Sequence, residues 1–328
     1  MKVAVVLLNW NGKEMLQRFL PDIIQNSPEA SVYVIDNDSS DDSIIFLKMV
    51  FPDIKIIINP KNLGYAGGYN LGLKRIKEDL LCLINNDVRV TNNWLPPIID
   101  FFKNNPSTSA AQPHILDEKN PDKFEYSGAA GGYIDRFGYP FCRGRIFDSL
   151  EKDLGQYDDN KSIFWASGAC FFVRNKVFKK LKGFDEDFFM YQEEIDLCWR
   201  IQNLENKIYS IGSSKVYHLG GASLPNSQLK IFYNYRNSLY MLIKNVPLIQ
   251  LPIIIFIRMF LDGISGIRFL LKGEIRNFLQ IVKAHIGVYG KLFKMLKKRS
   301  QLNYLNKYFN ENSIVFKYFI LKKKKFFH

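Results

Sequence analysis

Four times in its first ninety residues this chain runs a short apolar strand into a polar cluster at its exit, and after the first three a segment of helical spacing follows. Val3 to Leu8 runs into Asn9-Trp10-Asn11-Gly12, and Lys13 to Asn26 then spaces Met15, Leu16, Phe19, Leu20, Ile23 and Ile24 as one helical face. Val32 to Ile35 ends in Asp36-Asn37-Asp38-Ser39-Ser40-Asp41-Asp42, ahead of a helix from Ser43 to Phe51. Ile54 to Ile58 leads through a glycine-rich turn to a helix from Tyr69 to Glu78, and Leu80 to Ile84 stops on Asn85-Asn86-Asp87. Successive units of this kind predict a Rossmann-like, doubly wound, mostly parallel α/β sheet.

In such a sheet all four exits fall on one edge, and ligands collect outside the carboxyl ends of the strands. Asn and Asp are also the commonest turn formers. Four polar clusters on one edge, however, exceed what turns alone require. The loop from Asn62 to Asn70 places Gly64, Gly67 and Gly68 before a helix, where backbone amides can approach an anion. It is not Gly-x-Gly-x-x-Gly and lacks the Lys-Ser/Thr of a P-loop, which disfavours dinucleotide and NTPase chemistry.

At 328 residues the chain exceeds one ordinary core, so a main domain over 1–226 with an appended region over 227–328 is expected. Charge separates the two: 1–226 carries 26 Lys and Arg against 29 Asp and Glu, whereas 227–328 carries 19 against 3. Basic surfaces serve nucleic acid or anionic lipid. Pro247 to Leu271 is dominated by Leu, Ile, Phe and Met, unlike a base-stacking surface, so an anionic membrane is the expected partner and nucleic acid is not. The longest uncharged run there, Asn245 to Ile257, is 13 residues, short of the ~20 that span a bilayer. Interfacial amphipathic helices are expected, with Arg258 and Asp262 neighbours on a helix face and Lys322 to Phe327 against an anionic leaflet. Cys82, Cys142, Cys170 and Cys198 show no paired spacing and read as core residues. With a strand opening the chain, the expected place is the cytoplasmic face of the cell membrane, peripherally bound.

Five segments, in order, resemble the inverting family 2 glycosyltransferases of GT-A fold, in particular their bacterial rhamnosyltransferase-like branch. They are Val-Val-Leu-Leu-Asn9-Trp10-Asn11-Gly; Val-Ile-Asp36-Asn37-Asp-Ser-Ser-Asp; Asn62-Leu-Gly64-Tyr65-Ala66-Gly67-Gly-Tyr-Asn70; Asn85-Asn86-Asp87; and Gly183 through Glu193-Glu194-Ile-Asp196 to Arg200. The resemblance implies a nucleotide-diphosphate sugar donor, with Asp36 on the pyrimidine and Asn9 to Asn11 around the nucleoside. It implies Mg²⁺ or Mn²⁺ held by Asp87 against the diphosphate, ions that suit hard oxygen ligands. Asn85 stands where the family's first Asp would be, which removes a charge and makes metal binding depend on the donor.

Inverting transfer needs a base for the attacking hydroxyl. The resemblance points to Glu194, where the family usually carries Asp, with Glu193 and Asp196 as alternatives. A capping role for these acids at a helix start is the competing reading. His218 is expected either to complete the metal site, as the resemblance implies, or to stand as a packed turn residue beside Gly220 and Gly221. Arg236 is expected either to clamp phosphate bidentately or to face lipid headgroups, and Trp165 and Gly168 to lie on the acceptor side. The implied function is transfer of a sugar, rhamnose from a dTDP donor, to a lipid-linked or polysaccharide acceptor. A sugar-nucleotide pyrophosphorylase would carry a glycine-rich, basic N-terminal loop that Asn9 to Gly12 does not resemble. A catalytically decayed membrane scaffold is the reading that Asn85 and Glu194 leave open.

Overall fold

The computed structural model describes residues 1–221, 227–299, 304–305 and 307–326. The expected boundary at 226/227 abuts segment 222–226, and Phe327 also lies outside the described residues. β1 (Val3–Asn9) is followed by α1 (Lys13–Gln25), β2 (Ala30–Asp36), α2 (Ser43–Val50), β3 (Lys55–Ile58), α3 (Gly64–Gly72) and β4 (Leu80–Asn85). β3, β2, β1 and β4 are neighbours in that order and all parallel. Their continuous Val, Ile and Leu runs suit strands covered on both faces. Val3, Val5 and Leu7 pack beneath Leu16, Leu20 and Ile23 of α1, while Ala4 and Val6 face Ala66, Tyr69 and Leu73 of the α3 layer.

One element begins earlier than its sequence suggests. The third helix starts at Gly64 rather than Tyr69, so the glycines lie inside it. They serve close packing: a Cβ on Gly72 would sit 2.4 Å from Ile35 Cδ1, and one on Gly68 3.0 Å from both Leu8 Cδ1 and Asn37 Nδ2.

The remaining elements are β5 (Val88–Val90), α4 (Pro96–Asn104), β6 (Thr108–Asp117), β7 (Gly132–Ile134), β8 (Pro140–Cys142), β9 (Arg145–Ile146), β10 (Ser149–Leu150), β11 (Lys161–Ser162), β12 (Cys170–Arg174), α5 (Asn175–Lys180), α6 (Glu193–Gln202) and β13 (Lys207–His218). Among the described residues the main sheet continues from β4 through β12, β6, β13 and β11, with β12 antiparallel to both neighbours and β13 parallel to β6. β7 to β10 form a separate antiparallel sheet. The sheet is therefore parallel in its first half and mixed in its second.

Three long helices follow, α7 (Ser227–Asn245), α8 (Leu251–Leu271) and α9 (Ile275–Lys297), and then α10 (Ile314–Phe319). None of the described helices is long and apolar enough to cross a membrane. Arg258 and Asp262 do pair, at 2.9 Å, but in the interior rather than on the surface. The closing lysines 322–325 are exposed, yet Phe326 is folded back: its ring lies 5.4 Å from that of Tyr133, and its amide donates to Glu151 Oε1 at 2.9 Å. Cys82, Cys142, Cys170 and Cys198 are all buried free thiols.

Candidate active site

Strand register gathers the polar exits. Asn9 pairs with Asp36, and Leu8 with Asn85, so these ends stand side by side at the carboxyl edge. Asn9 Nδ2 donates to Asp36 Oδ1 and to Ser39 Oγ, both at 3.2 Å, and accepts at Oδ1 from Asn86 Nδ2 at 3.0 Å. Asp36 Oδ2 takes the Ser39 amide at 2.9 Å, and Asn11 Oδ1 caps the Ser40 amide at 2.7 Å. A carboxylate has about four acceptor positions, so Asp36 keeps capacity for a further donor. Trp10 is half exposed at the lip of this crevice.

The Asn62 to Asn70 segment behaves differently from its expected role. Asn62 Oδ1 takes the Gly64 amide at 2.9 Å, Asn37 Oδ1 takes the Leu63 amide at 3.3 Å, and the Ala66 amide bonds Phe189 O at 3.2 Å. These donors are already satisfied within the protein, so the segment offers no anion cradle there. Gly67 is closed by Leu63, whose Cβ would lie 2.8 Å from an added Cβ. Asn70 brackets Phe184 through both its amide and its carbonyl, a structural task. Tyr65, by contrast, donates to Gly168 O at 2.8 Å and lines a pocket.

That pocket joins Asn85 and His218 on one wall to Gly168, Tyr191, Glu193 and Glu194 on the other. Its volume of about 170 Å³ is below the 300–1,000 Å³ typical of drug-sized ligands, and suits one sugar rather than a whole nucleotide sugar. The turn leading into β12 sets Gly168 beside Asn85, whose backbone N–H donates to Ala169 O at 3.0 Å. β5 lies antiparallel to the end of β13, pairing Val88 with His218 and bringing Asp87 to the imidazole.

His218 stands between two carboxylates. Its Nε2 is 3.1 Å from Asp87 Oδ1 and its Nδ1 3.3 Å from Glu125 Oε2, and all three residues are buried. Burial alone would push the imidazole pKa down, but Asp87 and Glu125 outweigh it and hold it at about 10. Although Asp87 is within ion-pair distance, neither of its oxygens receives an aligned hydrogen bond. The imidazole thus offsets the Asp87 charge but leaves its hydrogen-bonding capacity unfilled, which a buried carboxylate rarely tolerates without a further partner. Asp87, His218 and the nearby Asn85 amide fit a divalent cation, Mn²⁺ better than Mg²⁺ because of the imidazole, and a cation there would displace the proton that the two carboxylates otherwise hold on Nε2. No group of three or more His, Cys, Asp and Glu among the described residues forms a ready-made metal cage. Glu125, placed beside β6 by its amide bond to Ile115 O, had no motif to mark it.

On the opposite wall, α6 opens with Glu193 and Glu194. Glu194 lines the pocket with Oε2 unpartnered, and burial, against the helix amides, raises its pKa to about 7. Glu193 is raised further, by burial and then by repulsion from Glu194. Asp196 is a different kind of group. Its carboxylate takes Lys244 Nζ, Arg200 Nε and Asn245 Nδ2, each at 2.8 Å, and despite burial these hold its pKa at about 2. Fully committed to partners, it is not available as a base.

Residues 4–182 match the model of glycosyl transferase family 2. The chain belongs to that family. This glycosyltransferase is 25% identical to the N-acetylglucosaminyl-diphospho-decaprenol L-rhamnosyltransferase of Mycobacterium tuberculosis, over 66% of this chain and 80% of that one. It is also 25% identical to the low-salt glycan biosynthesis hexosyltransferase Agl10 of Haloferax volcanii, over 60% and 61%. Among solved structures, S. aureus TarS 1–349 superposes with a TM-score of 0.56 at 13% identity, over 87% of this chain and 79% of that one. A Pyrobaculum calidifontis mannosyltransferase solved with GDP-Man and Mn²⁺ gives 0.52 at 12% identity, over 88% and 75%. At such identities the structures share the GT-A fold alone.

Two further expectations for the transferase meet a different arrangement. Trp165 is 2% exposed and its indole donates to Tyr133 O at 2.9 Å, so its ring belongs to the core and offers no face to a sugar. Arg236 donates to the carbonyls of Asp187 and Phe188, each at 3.0 Å, and lies over the rings of Phe232, Tyr233 and Tyr240, so its fork grips the backbone rather than phosphate. Its neighbour Asn237 donates to Phe188, Met190 and Tyr191 carbonyls at 2.8 to 3.0 Å. Together they hold a segment in which Phe189, Tyr191 and Gln192 all have positive φ, immediately before the pocket-lining acids.

Proposed function

We propose that this family 2 glycosyltransferase moves a sugar with inversion from a nucleotide-diphosphate donor to a lipid-linked or cell-surface polysaccharide acceptor. The donor proposed is dTDP-rhamnose, a choice supported by the likeness to a rhamnosyltransferase. The observation that carries the reading is Glu194: an unpartnered carboxylate oxygen, with its pKa raised to about 7, in the same pocket as Asn85 and His218. Glu194 takes the proton of the acceptor hydroxyl as that oxygen bonds the anomeric carbon. The carbon's bond to the diphosphate oxygen breaks on the opposite face, and the nucleoside diphosphate leaves with the electron pair. Asn9, Asn11 and Asp36 hold the nucleoside. Asp87 and His218 would hold Mg²⁺ or Mn²⁺, which supplies charge neutralisation for the departing diphosphate.

The test is donor hydrolysis across UDP-, dTDP- and GDP-sugars with Mn²⁺, paired with thermal protection by the nucleoside diphosphates. Turnover of dTDP-rhamnose with protection by dTDP is expected. No protection by any nucleoside diphosphate would end the donor-site reading, and turnover of a different sugar would replace the donor.

A further inference from the structure

Helix α8 buries an ion pair and leaves an apolar stripe in water. Ile254, Arg258, Asp262 and Gly266 face inward, with the Arg258 guanidinium 3.9 Å over the Tyr139 ring and Asp262 3.2 Å from His285 of α9. On its other side Ile253, Phe256, Phe260, Ile264, Ile267 and Leu271 are exposed by 50% to 85%. Their steps of three and four residues make one continuous stripe. α9 buries an apolar face, Ile281, Ala284, Val288 and Met295, and still carries an outer stripe: Ile275, Leu279, Val282, Ile286, Tyr289 and Phe293 step by three and four and are 38% to 77% exposed. Surface apolar residues scattered singly need no explanation, but two ordered stripes on neighbouring helices do.

We propose that the α8–α9 hairpin is a docking face for an anionic lipid bilayer, with both helices lying in the interface plane. Neither helix is long and apolar enough to cross a membrane. Arg268, Lys272, Arg276, Lys283 and Lys297 are exposed along the hairpin and enter no ion pair among the described residues. Between 246 and 299 the chain holds only two acids, Asp262, which is buried, and Glu274. An apolar face with a Lys and Arg rim complements anionic headgroups, whereas a second copy of this chain would set the same basic rim against itself. The face is independent of the sugar-transfer reading, because lipid contact needs neither donor nor base.

The experiment is flotation of the full chain with phosphatidylcholine vesicles, with and without phosphatidylglycerol, at several salt concentrations. Binding that needs phosphatidylglycerol and weakens with salt is expected. Phe256→Ser with Phe260→Ser, and separately Ile286→Ser with Phe293→Ser, should each lower partitioning at least roughly tenfold. Lys272→Glu with Lys283→Glu should lose the phosphatidylglycerol dependence. Thermal unfolding and donor hydrolysis of the same variants report folding and chemistry separately. Vesicle binding unchanged in both apolar variants overturns the proposal. So does failure of the unaltered chain to float, and a concentration-dependent dimer abolished by the serine variants then assigns the face to a second copy.

Discussion

The ammonium of Lys244 lies 2.8 Å from the carboxylate of Asp196, both buried, and the second Asp196 oxygen is held by Asn245. An α7 residue thus supplies the counter-charge to the helix that carries Glu194. Removing one partner of a buried pair leaves the other uncompensated and costs about 3–5 kcal/mol. Lys244→Met should therefore lower the urea midpoint strongly. Asp196 has a folded pKa of about 2 against an ordinary 3.8. Its stabilisation is complete above pH 4 and is lost as pH falls through 2, and denaturant titrations between pH 5 and 2 would record that loss.

Glu194→Gln should reduce kcat by roughly 10²- to 10⁴-fold while leaving nucleoside diphosphate protection intact. Because the proposed base works deprotonated, turnover of the unaltered enzyme should rise with pH through about 7. Stability runs the other way. The unfolded chain releases this proton near 4.5 and the fold keeps it to about 7, so the folded state loses ground across that interval. The Gln variant should melt higher than the unaltered protein at pH 8, and an unchanged or lower melting temperature would remove Glu194 from its strained position.

Glu125→Gln tests the far side of the imidazole. A carboxylate that orients a histidine ligand contributes about 10- to 100-fold to metal affinity. Titration calorimetry with Mn²⁺ in the presence of a nucleoside diphosphate should show that loss. Equal affinity in variant and parent would reduce Glu125 to an incidental neighbour.

Asn237→Ala strips one donor group from three loop carbonyls at once. Leaving buried acceptors unsatisfied costs about 1–3 kcal/mol. The cost falls on the left-handed segment at 189–192, so kcat should drop more than KM changes, read by initial rates across donor concentration. Loss of thermal stability without any kinetic change would make Asn237 merely a fastener.

Much of the parallel half was legible because apolar runs and polar exits state their own period, and register alone then joins Asn9, Asp36 and Asn85. The helix at Gly64 was not, since glycine reads locally as a breaker and only contact with Leu8, Asn37 and Ile35 shows why it must lie inside a helix. Trp165, Asn70 and Arg236 have side chains fit for ligands, but backbone carbonyls and amides elsewhere in the fold claim them first. Glu125 joins His218 across ninety-odd residues through strand pairing that no spacing encodes.

Lys291, Lys294 and Lys298 of the basic region hold Asp187, and Lys298 also Asp185, just ahead of the pocket wall. Part of the excess positive charge is thus spent inside the molecule, and these lysines are open enough to solvent to be screened. A concentrated salt wash, the usual means of stripping a peripheral protein from lipid, would loosen the same contacts that brace the pocket, so material prepared that way needs its salt removed before its turnover is compared with that of gently released protein.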